Sequence, residues 1–212
     1  MKRGSSISHS LSRRRLLAGT AIAPLLLWLP GRSHAASTIR QLEGRVFVNN
    51  RPATEATAIR AGDQIVVAPG GKLAMSVGGD AFLLREGTVL ELAGSGVLSG
   101  LRLLTGAMLS VFAKRRKSTY IMTGVATIGI RGTGVYMNAQ AHRLYTCTCY
   151  GETDIRFGGH VERISSSYHN AHEISPGSDG LMAMKSMEVI DHSDDELRML
   201  EGYVGRKPKF DL

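Results

Sequence analysis

The chain has 212 residues, with 26 Lys or Arg, 18 Asp or Glu and a formal net charge of +8. Six of the basic residues and none of the acidic ones lie in the first 35 positions, so the rest of the chain carries 20 basic and 18 acidic side chains. This near balance argues against nucleic acid as the main partner, and the length excludes two large domains.

Residues 1–35 are typical of an export signal. A basic, polar start is followed by an apolar stretch from Leu16 to Pro30 and by small residues up to Ala35, which predicts cleavage after Ala35. The apolar stretch is about 15 residues long, whereas a membrane-spanning helix needs roughly 20. We therefore expect a periplasmic protein of a Gram-negative-type envelope, with no transmembrane anchor after cleavage.

The arginines within this segment indicate the export route. The run Ser12-Arg13-Arg14-Arg15-Leu16-Leu17 resembles the twin-arginine motif, in which Arg13 and Arg14 are the paired arginines. That route carries folded proteins, so folding in the cytoplasm is implied. An ordinary secretory signal with a basic start is the alternative.

From about Arg40 to Pro176 the chain consists of short apolar runs separated by Gly, Asn or Asp, which is the pattern of strands joined by tight turns. This pattern predicts an all-β domain over residues 36–176, built from stacked hairpins as a β-roll, solenoid or sandwich. The predicted strands are Gly44–Asn49, Gln64–Ala68, Lys72–Val77, Ala81–Arg85, Thr88–Leu92, Leu101–Phe112, Tyr120–Thr123, Ala126–Ile130, Gly134–Ala139, Arg143–Tyr150, Thr153–Phe157 and Val161–Ser166.

A basic run, Lys114-Arg115-Arg116-Lys117, interrupts these strands and predicts a hairpin tip. A solvated loop is the first interpretation, and contact with an anionic envelope surface is the second.

The segment from Thr123 to Tyr136 reads TGVATIGIRGTGVY. It resembles the signature of FecR-type domains, in which Thr-Pro-x-Ala-Thr leads into Val-Gly-Val-Arg-Gly-Thr and then an aromatic residue. Gly124 stands where that family usually has proline. Further stretches, such as Ala61-Gly62-Asp63 and Glu86-Gly87-Thr88, resemble other parts of the family in the same order, over about residues 40–157. The signature positions are Thr123, Ala126, Thr127, Gly129, Arg131, Gly132 and Thr133.

The resemblance implies an exported FecR-like module that binds an envelope protein or a small ligand, as an accessory to envelope signalling or iron handling. Signalling members of the family have a cytoplasmic tail that controls a sigma factor and one membrane helix. This sequence shows neither, so a free-standing module is the expectation. The signature arginine, Arg131, has two interpretations: a buried guanidinium that binds loop carbonyls, or a clamp for an anionic ligand.

Cys147 and Cys149 are the only cysteines. On an extended strand, side chains two residues apart share a face but lie too far apart for a disulfide. Paired with His169 and His172 they would form a Cys2His2 set for zinc or copper, provided that the chain turns at the histidines and bends at the cysteines. Small core residues are the first interpretation of the two cysteines, the metal site is the second, and redox chemistry is the third.

Catalytic motifs are missing from the sequence: there is no G-x-S-x-G, H-E-x-x-H, C-x-x-C-H or phosphate-loop pattern, so we expect a protein that is not an enzyme and needs no cofactor unless the cysteines bind metal. His142, His160 and His192 carry no prediction of their own.

Residues 177–212 form the predicted C-terminal extension. Ser193-Asp194-Asp195-Glu196 has the form of a capping box, and apolar residues follow at helical spacing. We predict one helix over about 193–204, ended by Gly205.

Overall fold

The computed structural model describes residues 37–93, 100–116 and 118–212. The predicted export signal, with Arg13, Arg14 and the cleavage site after Ala35, lies outside these residues. Within them, no helix has both the length and the apolar character needed to cross a membrane.

The described chain is all-β with one helix near its C-terminal end, as the sequence predicts. The strands are β1 (Ser37–Glu43), β2 (Val46–Val48), β3 (Arg51–Pro52), β4 (Gln64–Val67), β5 (Lys72–Val77), β6 (Asp80–Leu84), β7 (Val89–Ala93), β8 (Gly100–Val111), β9 (Thr119–Met122), β10 (Thr127–Ile130), β11 (Gly134–Gln140), β12 (Arg143–Phe157), β13 (His160–Ser166), β14 (Asn170–Pro176) and β15 (Met182–Met187). The helix α1 spans Asp194–Tyr203, and a 3-10 turn spans Lys209–Asp211.

The strands form two sheets that share β8 and β12. Sheet 1 has the order β1-β5-β6-β8-β11-β12-β14-β15. Sheet 2 has the order β3-β2-β4-β7-β8-β9-β10-β12-β13, in which β8 and β9 form the one parallel pair of the described strands. The sequence predicts most of these strands but misses β1, β3, β14 and β15.

The shared strands bend at glycine. β8 pairs in sheet 2 up to Thr105 and in sheet 1 from Gly106 onward, and β12 changes sheets at Gly151 in the same way. Gly106 has φ +86° and Gly151 has φ +91°, a region that other residues rarely adopt. These two bends fold the strands over so that apolar residues of both sheets meet in one core.

The central strands of sheet 1 are buried on both faces. Along β8, Met108 contributes to the core between the sheets and Leu109 to a second apolar cluster on the outer face. Leu197 and Leu200 of α1 cover that outer cluster and are fully buried. The C-terminal extension is therefore integral to the fold, because β15 pairs with β14 and α1 closes the outer face of sheet 1.

The helix begins and ends as the sequence indicates. Ser193 accepts a hydrogen bond from the Glu196 backbone, the Glu196 carboxylate accepts one from the Ser193 backbone, and Gly205 follows the helix with φ +71°.

Candidate metal centre

Two buried thiols lie under the C-terminal segment, on the outer face of sheet 1. Cys147 and Cys149 of β12 are both free and fully buried. In the pairing of β11 with β12, Val135 lies opposite Thr148 and Gly134 opposite Tyr150, so Cys149 is an extra residue. This β-bulge supplies the bend between the cysteines that a shared metal site requires.

His169 lies beside them in the turn between β13 and β14. Its φ of +36° makes it one of four non-glycine residues with positive φ in the described chain, a conformation that histidine tolerates better than most side chains. Its backbone N–H donates to the carbonyl of Cys149 at 2.8 Å. This turn places His169 Nδ1 3.6 Å from the Sγ of Cys147.

His192 completes the cluster from the segment between β15 and α1. Its ring stacks on Tyr136 of β11, with 4.7 Å between centroids and 14° between planes. Its Nε2 lies 3.4 Å from the Sγ of Cys149 and 3.3 Å from His169 Nδ1. The four ligand atoms of Cys147, Cys149, His169 and His192 all lie within 4.8 Å of one another.

The outward-facing ring nitrogens are held by acceptors. His169 Nε2 lies 2.8 Å from a carboxylate oxygen of Asp194, and His192 Nδ1 lies 2.7 Å from the carbonyl oxygen of Ile190. Because these oxygens can only accept, the hydrogen-bond network assigns the proton of each neutral ring to the outward nitrogen. The inward nitrogens then present lone pairs to each other, an arrangement that a cation between them stabilises.

Three of the separations between ligand atoms fit one tetrahedral ion. With Zn–S about 2.3 Å and Zn–N about 2.0 Å, tetrahedral geometry places two nitrogens about 3.3 Å apart and a nitrogen and a sulfur about 3.5 Å apart. The cluster has 3.3 Å between its two nitrogens, and 3.6 and 3.4 Å for its two sulfur–nitrogen contacts.

The site favours negative charge on one sulfur. A hydrogen bond from Cys149 lowers the pKa of Cys147, although burial opposes this, and the two histidines lower it further. Burial, followed by the adjacent Cys147, raises the pKa of Cys149. The pair therefore retains one thiol proton where Cys147 is already a thiolate, and a bound metal ion would displace that proton.

His169 has the electrostatic environment of a ligand. Burial lowers its pKa, but hydrogen bonds to Asp194 and Cys147 outweigh burial and raise it overall. A proton on His169 Nδ1 thus occupies the position that a metal ion would take, so protons and metal ions compete for the cluster.

His172 is not part of the cluster, which corrects the predicted ligand set. It lies on β14 opposite Thr146, whereas the neighbouring Ala171 lies opposite Cys147 and shares its outer face. His172 therefore projects to the other face, where burial lowers its pKa. The structure brings Cys147, Cys149 and His169 together as predicted and adds His192, which sequence reasoning missed. One signal was available: His192 immediately precedes the N-cap of the predicted helix.

The first half of the FecR-like signature closes a hairpin. The hydroxyl of Thr123 accepts from the backbone of Ala126 and donates to its carbonyl, and Thr127 then begins β10. A Cβ on Gly129 would lie 3.3 Å from the ring of Tyr120, so glycine allows that ring to cross β10 closely.

The second half joins the two sheets. The hydroxyl of Thr133 donates to the carbonyl of Glu152 at 2.8 Å, and a Cβ on Gly132 would lie 2.9 Å from the Cα of Lys114. Arg131 does not bind loop carbonyls as a buried guanidinium; its side chain is 51% exposed and contacts Asp154 at 3.3 Å. The first interpretation of Arg131 is therefore wrong.

Comparison with known proteins supports the fold at low similarity. No protein-family model and no curated protein matches the chain. Two crystal structures, each of a "putative anti-sigma factor" from Parabacteroides distasonis ATCC 8503, match with 14% sequence identity and a TM-score of 0.50. Each match covers 59% of this chain, and the chain spans 60% of the matched protein. At this identity the likeness concerns the fold.

Proposed function

We propose that this protein is a metal-binding module, which holds one Zn²⁺ ion between Cys147, Cys149, His169 and His192. The observation that carries the proposal is the pair of inward imidazole nitrogens, 3.3 Å apart, each with its other nitrogen held by an acceptor. Zinc accommodates two thiolates and two imidazoles in a tetrahedron.

The role of the ion is structural or regulatory. Four protein ligands fill a tetrahedron and leave no open position for substrate, which distinguishes structural from catalytic zinc sites. We therefore propose no enzymatic activity. A surface pocket of about 530 Å³, lined in part by His169, His192 and Asp194, gives a metal ion a route to the cluster.

We propose that this module operates in envelope signalling, exported to the periplasm and recognised there by a protein partner. Its support is the fold likeness to candidate anti-sigma factors and the FecR-like signature. The metal would tie His192, at the start of the helical segment, to β12, so metal occupancy would decide whether that segment stays docked. A partner protein that binds only the docked segment would therefore bind according to whether the metal ion is present.

The test is metal content and metal exchange in protein purified without a tag. We expect one zinc ion per chain in the wild-type protein, and a cobalt-substituted form with the thiolate-to-cobalt absorption of a tetrahedral site. Cys147→Ser and His192→Ala should lose the metal. His172→Ala is the matched control, because it removes a neighbouring buried histidine that is outside the cluster, and it should retain one zinc ion per chain.

Two results would contradict the proposal. One is a wild-type protein, refolded with zinc and dialysed, that holds less than about a tenth of an ion per chain, since structural zinc sites bind far more tightly than dialysis can reverse. The other is an equal loss of zinc in His172→Ala and His192→Ala.

A further inference from the structure

A second site lies where the FecR-like signature joins the sheets. A recess of about 440 Å³ is lined by four cationic side chains, of Lys114, Arg115, Arg131 and Lys209. One acidic residue, Glu152, also lines it, together with Gly151 and the consecutive serines Ser165 and Ser166. Its lining thus has three more basic than acidic side chains, and it includes hydroxyl groups as well.

The signature holds this recess in shape. Gly132, with φ +67°, lets the backbone of Lys114 approach closely enough that a Cβ would lie 2.9 Å from its Cα. Thr133 donates to the carbonyl of Glu152 and accepts from its N–H at 3.2 Å. The loop that carries Lys114 and Arg115 is thereby fixed next to the strand end that carries Arg131.

The positive charge in the recess is only partly neutralised. Arg115 contacts the buried carboxylate of Asp80 at 2.5 Å. Arg131 shares Asp154 with Arg163, which makes the closer contact, 2.7 Å against 3.3 Å. Over residues 37–93, 100–116 and 118–212, neither the Lys114 nor the Lys209 ammonium has an ion-pair partner.

Arg131 itself retains unused donors. Of its five N–H groups, the described contacts engage only Nη2, with Asp154. The guanidinium can therefore offer a fork of two N–H groups to a ligand in the recess without releasing that carboxylate. Arginine forks match the geometry of phosphate oxygens, and the lysines add point charges beside them.

We propose that this recess binds a small anion that carries a phosphate or diphosphate group. The cations line a concave recess rather than a flat surface, so a small soluble anion fits better than the face of a membrane. The proposal is independent of the metal centre, because none of the recess residues is a metal ligand. In this proposal Arg131 clamps an anionic ligand, which the exposure of its side chain allows.

The probe is inorganic pyrophosphate, titrated into the full protein at low salt and followed by calorimetry. We expect a dissociation constant of roughly 10–500 µM that weakens as salt is added, because salt screens exposed charges. Arg131→Gln and Lys114→Gln should each weaken binding about tenfold through loss of a charge-assisted contact. Glu152→Gln should strengthen it, since it removes the one carboxylate that lines the recess.

Arg102→Gln is the matched control. Arg102 is 52% exposed and pairs with Glu91 at 3.1 Å, much as Arg131 pairs with Asp154, but it does not line the recess. It should leave pyrophosphate affinity unchanged. Circular dichroism of each variant checks that the fold is retained.

Three results would overturn the proposal. The first is no heat of binding at about 5 mM pyrophosphate, a concentration well above the expected constant. The second is an equal loss of affinity in Arg102→Gln and Arg131→Gln. The third is binding confined to vesicles of anionic phospholipid with none to free pyrophosphate or phosphate, which would indicate a membrane-contact surface.

Discussion

Cys149 has no partner in strand β11, and the bulge that it forms brings its sulfur close to that of Cys147. A regular strand would keep their β-carbons about 6.5 to 7 Å apart. The second irregular residue is His169, whose positive φ turns its ring back over the strand. The cluster therefore depends on two local departures from extended structure.

Asp194 is the residue whose effect is easiest to isolate. It accepts from His169 without being a ligand, and partners of this kind typically contribute 10- to 100-fold to metal affinity. We expect Asp194→Asn to weaken zinc binding within that range, measured by competition with a coloured chelator. Asp195→Asn is the control, because Asp195 has the same charge and lies in the same helical turn but is 92% exposed. Equal losses in both variants would assign the effect to the helix and its charge.

Residue type alone identified three of the four cluster members, and position in the fold decided the fourth. Two cysteines that lie two residues apart on a strand share a face of the sheet whatever the tertiary structure. The sequence alone therefore predicts that both belong to one site. His172 and His192 are equivalent by composition. The choice between them depends on the strand register of β14 and on where the segment before α1 docks, and neither is encoded in local spacing.

Elements that are buried along most of their length were predictable, and elements with polar faces were not. β5 agrees with its prediction residue for residue, since five of its six residues are buried. β1 and β15 lie at the edges of sheet 1 and expose polar or charged side chains, which weakens their pattern. β12 was predicted as two strands because Gly151 interrupts the apolar run, whereas the glycine bends the strand without ending its pairing.

The bend of β8 gives a test at this scale. A Cβ on Gly106 would lie 2.4 Å from the Cα of Thr88, and Gly106 also has φ +86°. Gly62 has a similar φ of +91° but nothing within 4 Å of its Cβ position. Gly62→Ala should therefore cost about 1 kcal/mol of unfolding free energy from backbone strain alone, and Gly106→Ala should cost several times more or prevent folding.

Chemical denaturation of both alanine variants measures the difference. Equal unfolding free energies would show that the bend of β8 requires glycine for a reason other than the close approach of Thr88.

At the scale of the whole molecule, the proposed metal site would join a segment from the end of the chain to the middle of sheet 1. The core between the sheets contains neither the cysteines nor the two histidines. Removal of zinc should therefore loosen the outer layer and leave the rest of the fold intact.

Hydrogen exchange after chelation tests this. We expect the amides of residues 189–204 to lose protection when zinc is removed, while β5 and β6 keep theirs. His192→Ala should show the same pattern without a chelator, and His172→Ala should show it only with one. Uniform loss across the chain would indicate instead that the ion supports the entire fold.

β8 and β12 run through both sheets, and this has a consequence for how the molecule denatures. Neither sheet can unfold while the other stays intact, because β8 and β12 each contribute residues to both sheets. A substitution that destabilises one sheet therefore also destabilises the other, and partially unfolded species with only one intact sheet are disfavoured. Such all-or-none behaviour protects the interior from proteases, which cleave chains that open locally.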